Sequence, residues 1–439
     1  MRLKRIRAGE VIICLVLFIC SSTNSFWGYR LFHDSNLFAG MACLIPLGML
    51  MISLLRHSER INAQQFLVAA AVYGVILISS RLNPKQVLYY GVCIGLLLYT
   101  PVRKYPYMLK AFLFLGLFFA VGSIIYLAFP AFYKQFILPA FSGSSQYDRL
   151  TRWANRTSNF IVPGFTNQTP FNACFFAYGI GFLFCWYSGK NKYRVLRLIC
   201  LALFIICLVL TNKRAHFLFL VIALLGTFLF SATKTQRGRR ILMIAAIGTA
   251  TAVLLLILIN YVDIGVFKKL KKMIVSFLND EDAASGRGDL NALAIRYFLK
   301  NPLNGIGWEQ FRFIPELDSP LQTHNIYLEL LCETGIFGFG VMLFFFVWTL
   351  ATAIRNCRQY QHGQEASVVR FCLFLQIFFL LYGLTGNPLY DAPYYIPYFL
   401  ACSYTFSFRR AAYTVPALLA RDDLHVPERW ETQGHGFMI

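Results

Sequence analysis

The sequence predicts an all-α polytopic membrane protein with about 12 transmembrane helices and a large helical loop late in the chain, on the outside. Two properties of the composition support this prediction. Of the 439 residues, 57% are hydrophobic and only 14% are charged, whereas a soluble domain carries about 25% charged residues. In a soluble protein the net charge of +21 would suggest a nucleic-acid partner. Here the basic residues fall between long apolar runs, so we expect a lipid bilayer and no nucleic acid.

The apolar runs approach the roughly 20 residues that a membrane-spanning helix needs. None has an ionisable residue near its middle, where a charge is costly. The predicted spans are residues 9–26, 37–55, 63–80, 86–101, 108–130, 171–188, 195–211, 215–232, 241–260, 335–354, 369–386 and 392–408.

The first span follows a basic start, Met1-Arg-Leu-Lys-Arg-Ile-Arg7. This pattern fits either a cleaved signal peptide or an uncleaved first span. Because no clean small-x-small cleavage motif follows, we favour the uncleaved span.

The distribution of positive charge predicts the orientation. With the start of the chain inside, the cytoplasmic segments carry 24 of the 41 Lys and Arg residues but only 7 of the 20 Asp and Glu residues. This asymmetry places both termini in the cytoplasm. The chain then divides into spans 1–9 (1–260) with an outside loop at about 131–170, a large outside loop (261–334), spans 10–12 (335–412) and a cytoplasmic tail (413–439).

The large outside loop has helical patterns of its own. Residues 264–278 place apolar side chains at helical spacing with lysines between them, which is typical of a helix lying on a membrane surface. Residues 289–300 predict a second amphipathic helix that ends at Asn301-Pro302. Its apolar side consists of Leu290, Leu293, Ala294, Tyr297 and Phe298.

The 12 cysteines lie mostly inside apolar runs, where they behave as small hydrophobic residues. There is no CxxC motif and no Cys/His cluster with zinc spacing. The sequence therefore predicts neither a disulfide framework nor a metal site.

Two short connections on the predicted outside carry unexpected basic residues. Arg81 and Lys85 lie in one, and an ordinary solvated exception explains them. Lys213 and Arg214 lie in the other, between two strongly apolar spans, where a cation is costly unless it is compensated. A cation at this boundary suits a phosphate group, so Arg214 is a candidate phosphate ligand; a membrane anchor is the simpler alternative.

The densest polar motif surrounds His324, just before the tenth span. An imidazole is well suited to accept a proton near neutral pH, although a hydrogen-bonded interfacial histidine is the simpler alternative. Glu329 and Glu333 follow at a spacing of four, where they repel each other unless a cation intervenes. They are candidates for bases, for orienting His324 or for pairing with arginines.

These motifs together resemble the signature of the O-antigen ligase and polymerase superfamily. The matching elements are Arg287 with its helix, Pro302-Leu-Asn-Gly305-Ile-Gly307, His324-Asn-Ile-Tyr327-Leu and Gly335-Ile-Phe-Gly338. The Asn-Lys-Arg214-Ala element also resembles the family's Ser/Thr-x-x-Arg-Ala/Gly element between two spans. The signature covers about fifty residues, and the elements before it are generic.

The resemblance implies a GT-C type glycosyltransferase of the bacterial cytoplasmic (inner) membrane that needs no metal or other cofactor and inverts the anomeric centre. The expected donor is an undecaprenyl-diphosphate-linked oligosaccharide in the outer leaflet. The acceptor is another lipid-linked glycan in an O-antigen, capsule or exopolysaccharide polymerase, or lipid A-core in an O-antigen ligase. The polymerase is slightly favoured, and a chain-length regulator is a further partner that the resemblance allows.

The resemblance also suggests residue roles. His324 is the candidate base for the acceptor hydroxyl, and Arg214 and Arg287 are candidates for stabilising the departing diphosphate. The weaker candidates for substrate binding are Lys213, Arg296, Asn325, Tyr327, Glu329, Arg152 and Arg156.

The main alternative from another class is a lipid-linked glycan transporter or flippase. Such proteins often show repeated halves and charged residues at the middle of the membrane, and this sequence shows neither. A structural scaffold is a third alternative, but it leaves the arginines and the histidine unexplained.

Overall fold

The computed structural model describes residues 8–32, 43–56, 63–98, 110–155, 161–186, 193–233, 235–243, 246, 287–317 and 320–419. Within these ranges the fold is helical, with one isolated β-bridge between Ser25 and Thr166. The longer helices are α1 (Ala8–Ser22), α2 (Phe26–Phe32), α3 (Leu44–Arg56), α4 (Ala63–Ser79), α5 (Pro84–Leu98), α6 (Lys110–Ala128), α7 (Tyr147–Ala154), α8 (Thr169–Cys185), α9 (Arg194–Leu210), α10 (Arg214–Phe230), α11 (Arg287–Lys300), α12 (Ile326–Gln359), α13 (Gly363–Tyr382) and α14 (Ala392–Leu419). Short helical turns occupy Pro130–Phe132, Tyr133–Ile137, Leu138–Phe141 and Phe311–Phe313.

The helices agree well with the predicted spans. Each predicted span overlaps a helix except 241–260, most of which lies outside the described residues. By length and composition, α6, α12 and α13 can cross a membrane, and α4, α5, α8 and α10 are apolar but shorter. The all-helical membrane class is therefore confirmed, whereas the count of twelve spans stays a prediction.

The structure of the large outside loop agrees in part with the sequence prediction. Helix α11 confirms the second predicted amphipathic helix, and Ala294 is buried on its apolar side. The first predicted amphipathic helix, 264–278, lies outside the described residues, as does the tail beyond residue 419. Helix α12 begins at Ile326, earlier than the predicted span at 335, because the polar motif after His324 is already helical.

Helices α8 and α13 form the centre of the bundle. Nearly all residues of α8 and most residues of α13 are buried. Helix α8 packs between α6 and α9, and α13 packs between α10 and α14. The bundle therefore has its apolar core around two helices that carry almost no charge.

The outer helices show the opposite pattern. Large apolar side chains on α9 and α10 are exposed, among them Leu198, Ile206, Val209 and Leu218. A soluble monomer rarely exposes a contiguous apolar surface of this kind. These faces are suited to contact with lipid chains.

Polar side chains inside the bundle bind one another between helices. The Gln376 amide donates to the Thr405 hydroxyl at 2.9 Å, and the Asn356 amide donates to the Thr405 carbonyl at 2.8 Å. Such pairs hold neighbouring helices together, because an unsatisfied polar group in a membrane interior costs several kcal/mol. They join α12 and α13 to α14.

Candidate active site

Several connections meet at one end of the bundle, which we call the site end. The Trp308 N–H donates to the Ser79 carbonyl at 2.8 Å, which joins the 301–325 segment to the end of α4. The Ile326 N–H donates to the Gly383 carbonyl at 2.9 Å, which joins the start of α12 to the end of α13. The connections on the predicted outside therefore meet at one place, as the orientation argument expects.

The Pro-x-x-Gly-x-Gly corner hooks onto a break in α12. Helix α12 has one non-helical residue, Gly335, with φ 66° and ψ −173°. There the Ile336 N–H donates to the Pro302 carbonyl at 2.8 Å, and the Gly307 N–H donates to the Glu333 carbonyl at 2.9 Å. The corner thus forms hydrogen bonds with backbone groups of α12, at Glu333 and Ile336, beside the kink.

Two glycines make this close approach possible. Gly305 (φ 68°) and Gly335 (φ 66°) have left-handed backbones, which glycine adopts at little cost. A Cβ on Gly305 would collide with the backbone of Glu333, and a Cβ on Gly335 would collide with the backbone of Leu303. Both glycines of the motif are therefore explained by backbone packing, without a ligand.

Two buried carboxylates fix the loops around the kink. Glu329 is 1% exposed, and its Oε2 accepts from the Thr323 N–H at 3.0 Å, the Thr323 hydroxyl at 2.8 Å and the Asn387 amide. Glu329 thereby ties the residue before His324 to the connection between α13 and α14.

Glu333 likewise holds the segment at residues 309–311. It accepts from the Glu309 N–H at 2.8 Å, the Phe311 N–H at 3.1 Å and the Tyr390 hydroxyl. Neither glutamate has an arginine as a direct partner in the described part of the chain. The repulsion expected at their i, i+4 spacing is therefore offset by neutral hydrogen-bond donors, each carboxylate having three.

His324 lies on the loop that these contacts hold. Its side chain reaches solvent, and its backbone is left-handed at φ 56°, which is uncommon for a residue other than glycine. Such outliers cluster at functional sites, where the surrounding structure holds them. Here Glu329 holds Thr323 on one side of His324, and Asn325 caps α12 on the other.

Positively charged side chains lower the pKa of this imidazole. Partial burial lowers the pKa of His324 below its ordinary 6.5, and the positive charges of Arg287 and Lys213 lower it further. Burial also lowers the pKa of Lys213, with added contributions from the charges of Arg149 and Arg287. The structure therefore brings Arg149, Lys213, Arg287 and His324 together; we call these four residues the cation cluster.

Lys213 is held in the cluster by its helix. It caps the N-terminus of α10 and follows Asn212, whose backbone is left-handed at φ 55°. One turn into α10, the Nε2 of buried His216 lies 2.7 Å from the Tyr394 hydroxyl. Tyr394 in turn donates to the Pro170 carbonyl at 2.9 Å, so α10 is anchored to both α14 and α8.

Arg214 lies beside Lys213 at the start of α10. Its side chain is exposed, as are those of Arg149 and Arg287, and its charge does not figure among those that shift the pKa of His324 or Lys213. Of the three leading candidates, the charges thus connect His324 with Arg287, together with Lys213, while the role of Arg214 stays a prediction.

The weaker candidates fall into two groups. Asn325 accepts from the Tyr327 N–H at 3.1 Å and the Leu328 N–H at 3.3 Å, and the Tyr327 hydroxyl donates to the Leu380 carbonyl at 2.7 Å. Together with Glu329, these residues have contacts within the chain, and their part in substrate binding stays a prediction. Arg152 on α7 and Arg296 on α11 are exposed, and Arg156 lies outside the described residues.

Sequence reasoning missed the connection between α13 and α14. It contributes Asn387 and Tyr390, which bind the two buried glutamates. A signal was present, because Gly-Asn-Pro-Leu-Tyr-Asp391 is a polar interruption between two apolar runs. The sequence also carries no separate signal for Arg149 or His216.

A polar cavity of about 140 Å³ also opens at the site end. Its walls come from the end of α1, the start of α5, the 309–322 segment and the start of α14. Its charged lining residues are Lys85, Glu309, Arg312 and Asp391. Glu309 and Arg312 form a salt bridge at 2.7 Å.

The fold and this site define a helical membrane protein with a cation cluster at one end of its bundle. Residues 199–343 match the model of a protein family described as O-antigen ligase. This match is consistent with the O-antigen ligase and polymerase superfamily that the sequence motifs resemble, and it supports a membrane glycan-processing function of that type. The matched residues include Lys213, Arg287 and His324, whereas Arg149 and Asp391 lie outside them. No curated protein matches the chain in a sequence search.

Proposed function

We propose that the protein transfers or polymerises glycan units carried on undecaprenyl diphosphate, at the outer face of the bacterial inner membrane. The observation that carries this proposal is the cation cluster, in which a solvent-accessible imidazole has its pKa lowered by Arg287 and Lys213, and Lys213 is in turn affected by the charge of Arg149. A base and a set of cations are the two things that displacement of a diphosphate by a hydroxyl requires.

In the proposed reaction, an acceptor hydroxyl attacks the anomeric carbon of the donor sugar. His324 takes the hydroxyl proton as the new C–O bond forms, because its lowered pKa keeps the imidazole neutral near pH 7. The bond from the anomeric carbon to the diphosphate oxygen breaks, and the diphosphate leaves with its negative charge. Lys213, Arg287 and Arg149 stabilise that charge. Attack from the face opposite the leaving group inverts the anomeric centre, and these three cations supply positive charge without a metal.

The cation cluster also supports the proposed orientation, in which both termini are cytoplasmic and the site end faces the periplasm or the outside. Cysteines introduced near 143 and 285 test it. Under this orientation both react with an impermeant thiol reagent added to intact cells or spheroplasts. Reaction only after permeabilisation would overturn the topology.

Surface glycan from a deletion strain tests the function and separates its two forms. A polymerase is slightly favoured over a ligase, on the generic nature of the sequence before the signature. Loss of a polymerase leaves one repeat unit on lipid A-core, or abolishes capsule or exopolysaccharide. Loss of a ligase leaves unmodified core while lipid-linked polymer accumulates. A wild-type gel profile of all surface glycans in the deletion strain contradicts the proposal.

A further inference from the structure

We propose that the polar cavity at the site end binds a single neutral sugar ring of the glycan next to the position that reacts; this inference rests on the proposed function. It assigns to Lys85, Gln86 and Asp391 a binding role outside the matched family domain. Four features of the cavity support it.

The first feature is charge balance. Lys85 and Arg312 are offset by Glu309 and Asp391, whereas the cation cluster has no carboxylate among its four members. An anion such as diphosphate is therefore favoured by the cluster and not by the cavity. A ligand with many hydroxyls and no net charge fits a lining that offers donors and acceptors in equal measure.

The second feature is the set of side chains without partners. Gln86 is 6% exposed and lines the cavity, and its amide makes no hydrogen bond with the described residues. The carboxylate of Asp391 and the ammonium of Lys85 likewise have no side-chain partner within the described ranges. Gln86 is buried, Asp391 is half-buried and Lys85 is exposed; all three line the cavity, so their polar groups are available to the hydroxyls of a ligand.

Asp391 is well suited to such a ligand. Burial raises the pKa of its carboxyl to about 7; the negative charge of Glu309 adds to the rise, and Lys85 and Arg312 oppose it. Near neutral pH both protonation states are therefore populated. The carboxylate accepts from two sugar hydroxyls, and the protonated acid also donates to one.

The third feature is the aromatic wall. Tyr89, Tyr390 and Tyr395 line the cavity, and the Tyr89 and Tyr395 rings meet edge to face with centroids 6.4 Å apart. These three tyrosines add ring surface to a lining that is otherwise mostly polar. The volume of about 140 Å³ is below the roughly 300–1,000 Å³ of pockets for drug-sized ligands, so one ring fits better than an oligosaccharide.

The fourth feature is the connection to the cation cluster. Gln322 lines the cavity two residues before His324. The Tyr390 hydroxyl and the Glu309 N–H, on two other walls, both bind Glu333. The cavity and the His324 loop therefore share one framework, and a ring in the cavity is held beside the reacting group.

Protection of a single introduced thiol tests the inference in membranes that contain the full-length chain. Gln322→Cys places the thiol in the cavity, and Gly143→Cys, in an exposed loop away from the cavity lining, is the matched control. The described native cysteines are all buried, so the background reaction with an impermeant reagent is low. Both variants also carry His324→Ala, so that bound glycan is not turned over.

The probes are lipid-linked glycan extracted from the source cells, the same glycan released from its diphosphate by mild acid, lipid A-core, and inorganic diphosphate. We expect both forms of the glycan to slow labelling of Gln322→Cys about tenfold and to leave Gly143→Cys unchanged. Protection by lipid A-core instead assigns the bound ring to the acceptor. Protection by inorganic diphosphate alone, or by none of the probes, overturns the inference.

Second-site variants connect the protection to the cavity side chains. Asp391→Asn and, separately, Lys85→Met are expected to raise the half-protecting glycan concentration on the order of tenfold, as for a lost hydrogen bond to a charged group. Lys85 is exposed and has no side-chain partner among the described residues, so Lys85→Met tests the cavity without a folding cost. Unchanged protection in Lys85→Met overturns the inference even where Asp391→Asn fails to insert.

Failure of the inference is distinguishable from failure of the proposed function. If His324→Ala removes surface glycan but no glycan protects Gln322→Cys, only the sugar cavity is lost. If His324→Ala leaves surface glycan at the wild-type level, His324 is not the base, and if the deletion strain also keeps wild-type surface glycan, the proposed function itself is wrong.

Discussion

The cation cluster and the polar cavity lie at the same end of the bundle and share a framework, yet they differ in charge. In the cluster, Lys213 and Arg287 act on His324 and Arg149 acts on Lys213, and no carboxylate figures among the charges that shift the pKa of His324 or Lys213. The cavity pairs two cations with two carboxylates. A site that stabilises a leaving diphosphate needs uncompensated positive charge, whereas a site that holds a sugar ring needs balanced donors and acceptors. The difference therefore separates a region for chemistry from a region for recognition.

The largest expected effect comes from the cluster's base. His324→Ala should lower the rate of glycan transfer by about 10²- to 10⁴-fold, the usual contribution of a general base, and should remove surface glycan. Gel profiles of surface glycan, with the amount of protein in the membrane measured in parallel, check this outcome. His362→Ala is the matched control, because His362 is exposed just before α13 and outside the cluster. Equal loss in both variants would mean that the effect is not specific to the cluster.

Two cations of the cluster, Lys213 and Arg287, provide the next test. Lys213→Gln or Arg287→Gln should reduce the rate by about 10²- to 10³-fold, comparable to removing one preorganised donor from an oxyanion site. Arg214→Gln should have a smaller effect, because the charge of Arg214 does not figure among those that shift the pKa of His324. Initial rates of glycan transfer, measured in membrane vesicles at equal protein levels, check the expectations for these three variants. A large loss in Arg214→Gln with a small one in Lys213→Gln would restore the assignment suggested by the motif.

This pair also shows where sequence reasoning reached its limit. The motif Asn-Lys-Arg-Ala locates a basic turn between two spans, and the structure has that turn. Which of its two cations is half-buried depends on the left-handed backbone at Asn212 and on the start of α10. An apolar run predicts the helix but not the turn geometry, so Lys213 and Arg214 could not be separated.

The framework of the site was predictable only in part. Helix α11 followed from its apolar spacing, and the glycine corner was recognised as a flexible point. That Gly305 and Gly335 meet, and that Glu329 binds Asn387 across the site end, depends on tertiary contacts between distant segments. For the same reason Asp391 looked like an ordinary loop residue until α14, α5 and the 309–322 segment were seen to enclose it.

Glu329 supports the loop without touching the reacting groups, so a smaller effect is expected there. Glu329→Gln keeps an oxygen for Thr323 but removes the charge that strengthens its hydrogen bonds. We expect about a tenfold decrease in kcat with little change in KM, and a larger loss in Glu329→Ala. Glu316→Gln is the control, because Glu316 is an exposed carboxylate of the same loop. A change confined to KM would show that Glu329 acts in substrate binding and not in positioning.

The smallest expected effect is a shift in pH dependence, and it tests the electrostatics of the cluster directly. The neutral imidazole is the base, so activity should fall as the pH drops through the pKa of His324, which lies below 6.5 because of partial burial and the charges of Arg287 and Lys213. In Arg287→Gln one of those charges is removed, the pKa of His324 rises, and the acid limb of the residual activity should move to higher pH. In Asp391→Asn the limb should stay in place, because Asp391 belongs to the cavity and its charge does not figure among those that shift His324. Rate–pH profiles of the wild type and both variants measure the position of the acid limb. An acid limb that moves in Asp391→Asn but not in Arg287→Gln would place the titrating base in the cavity, and the division between chemistry and recognition would be reversed.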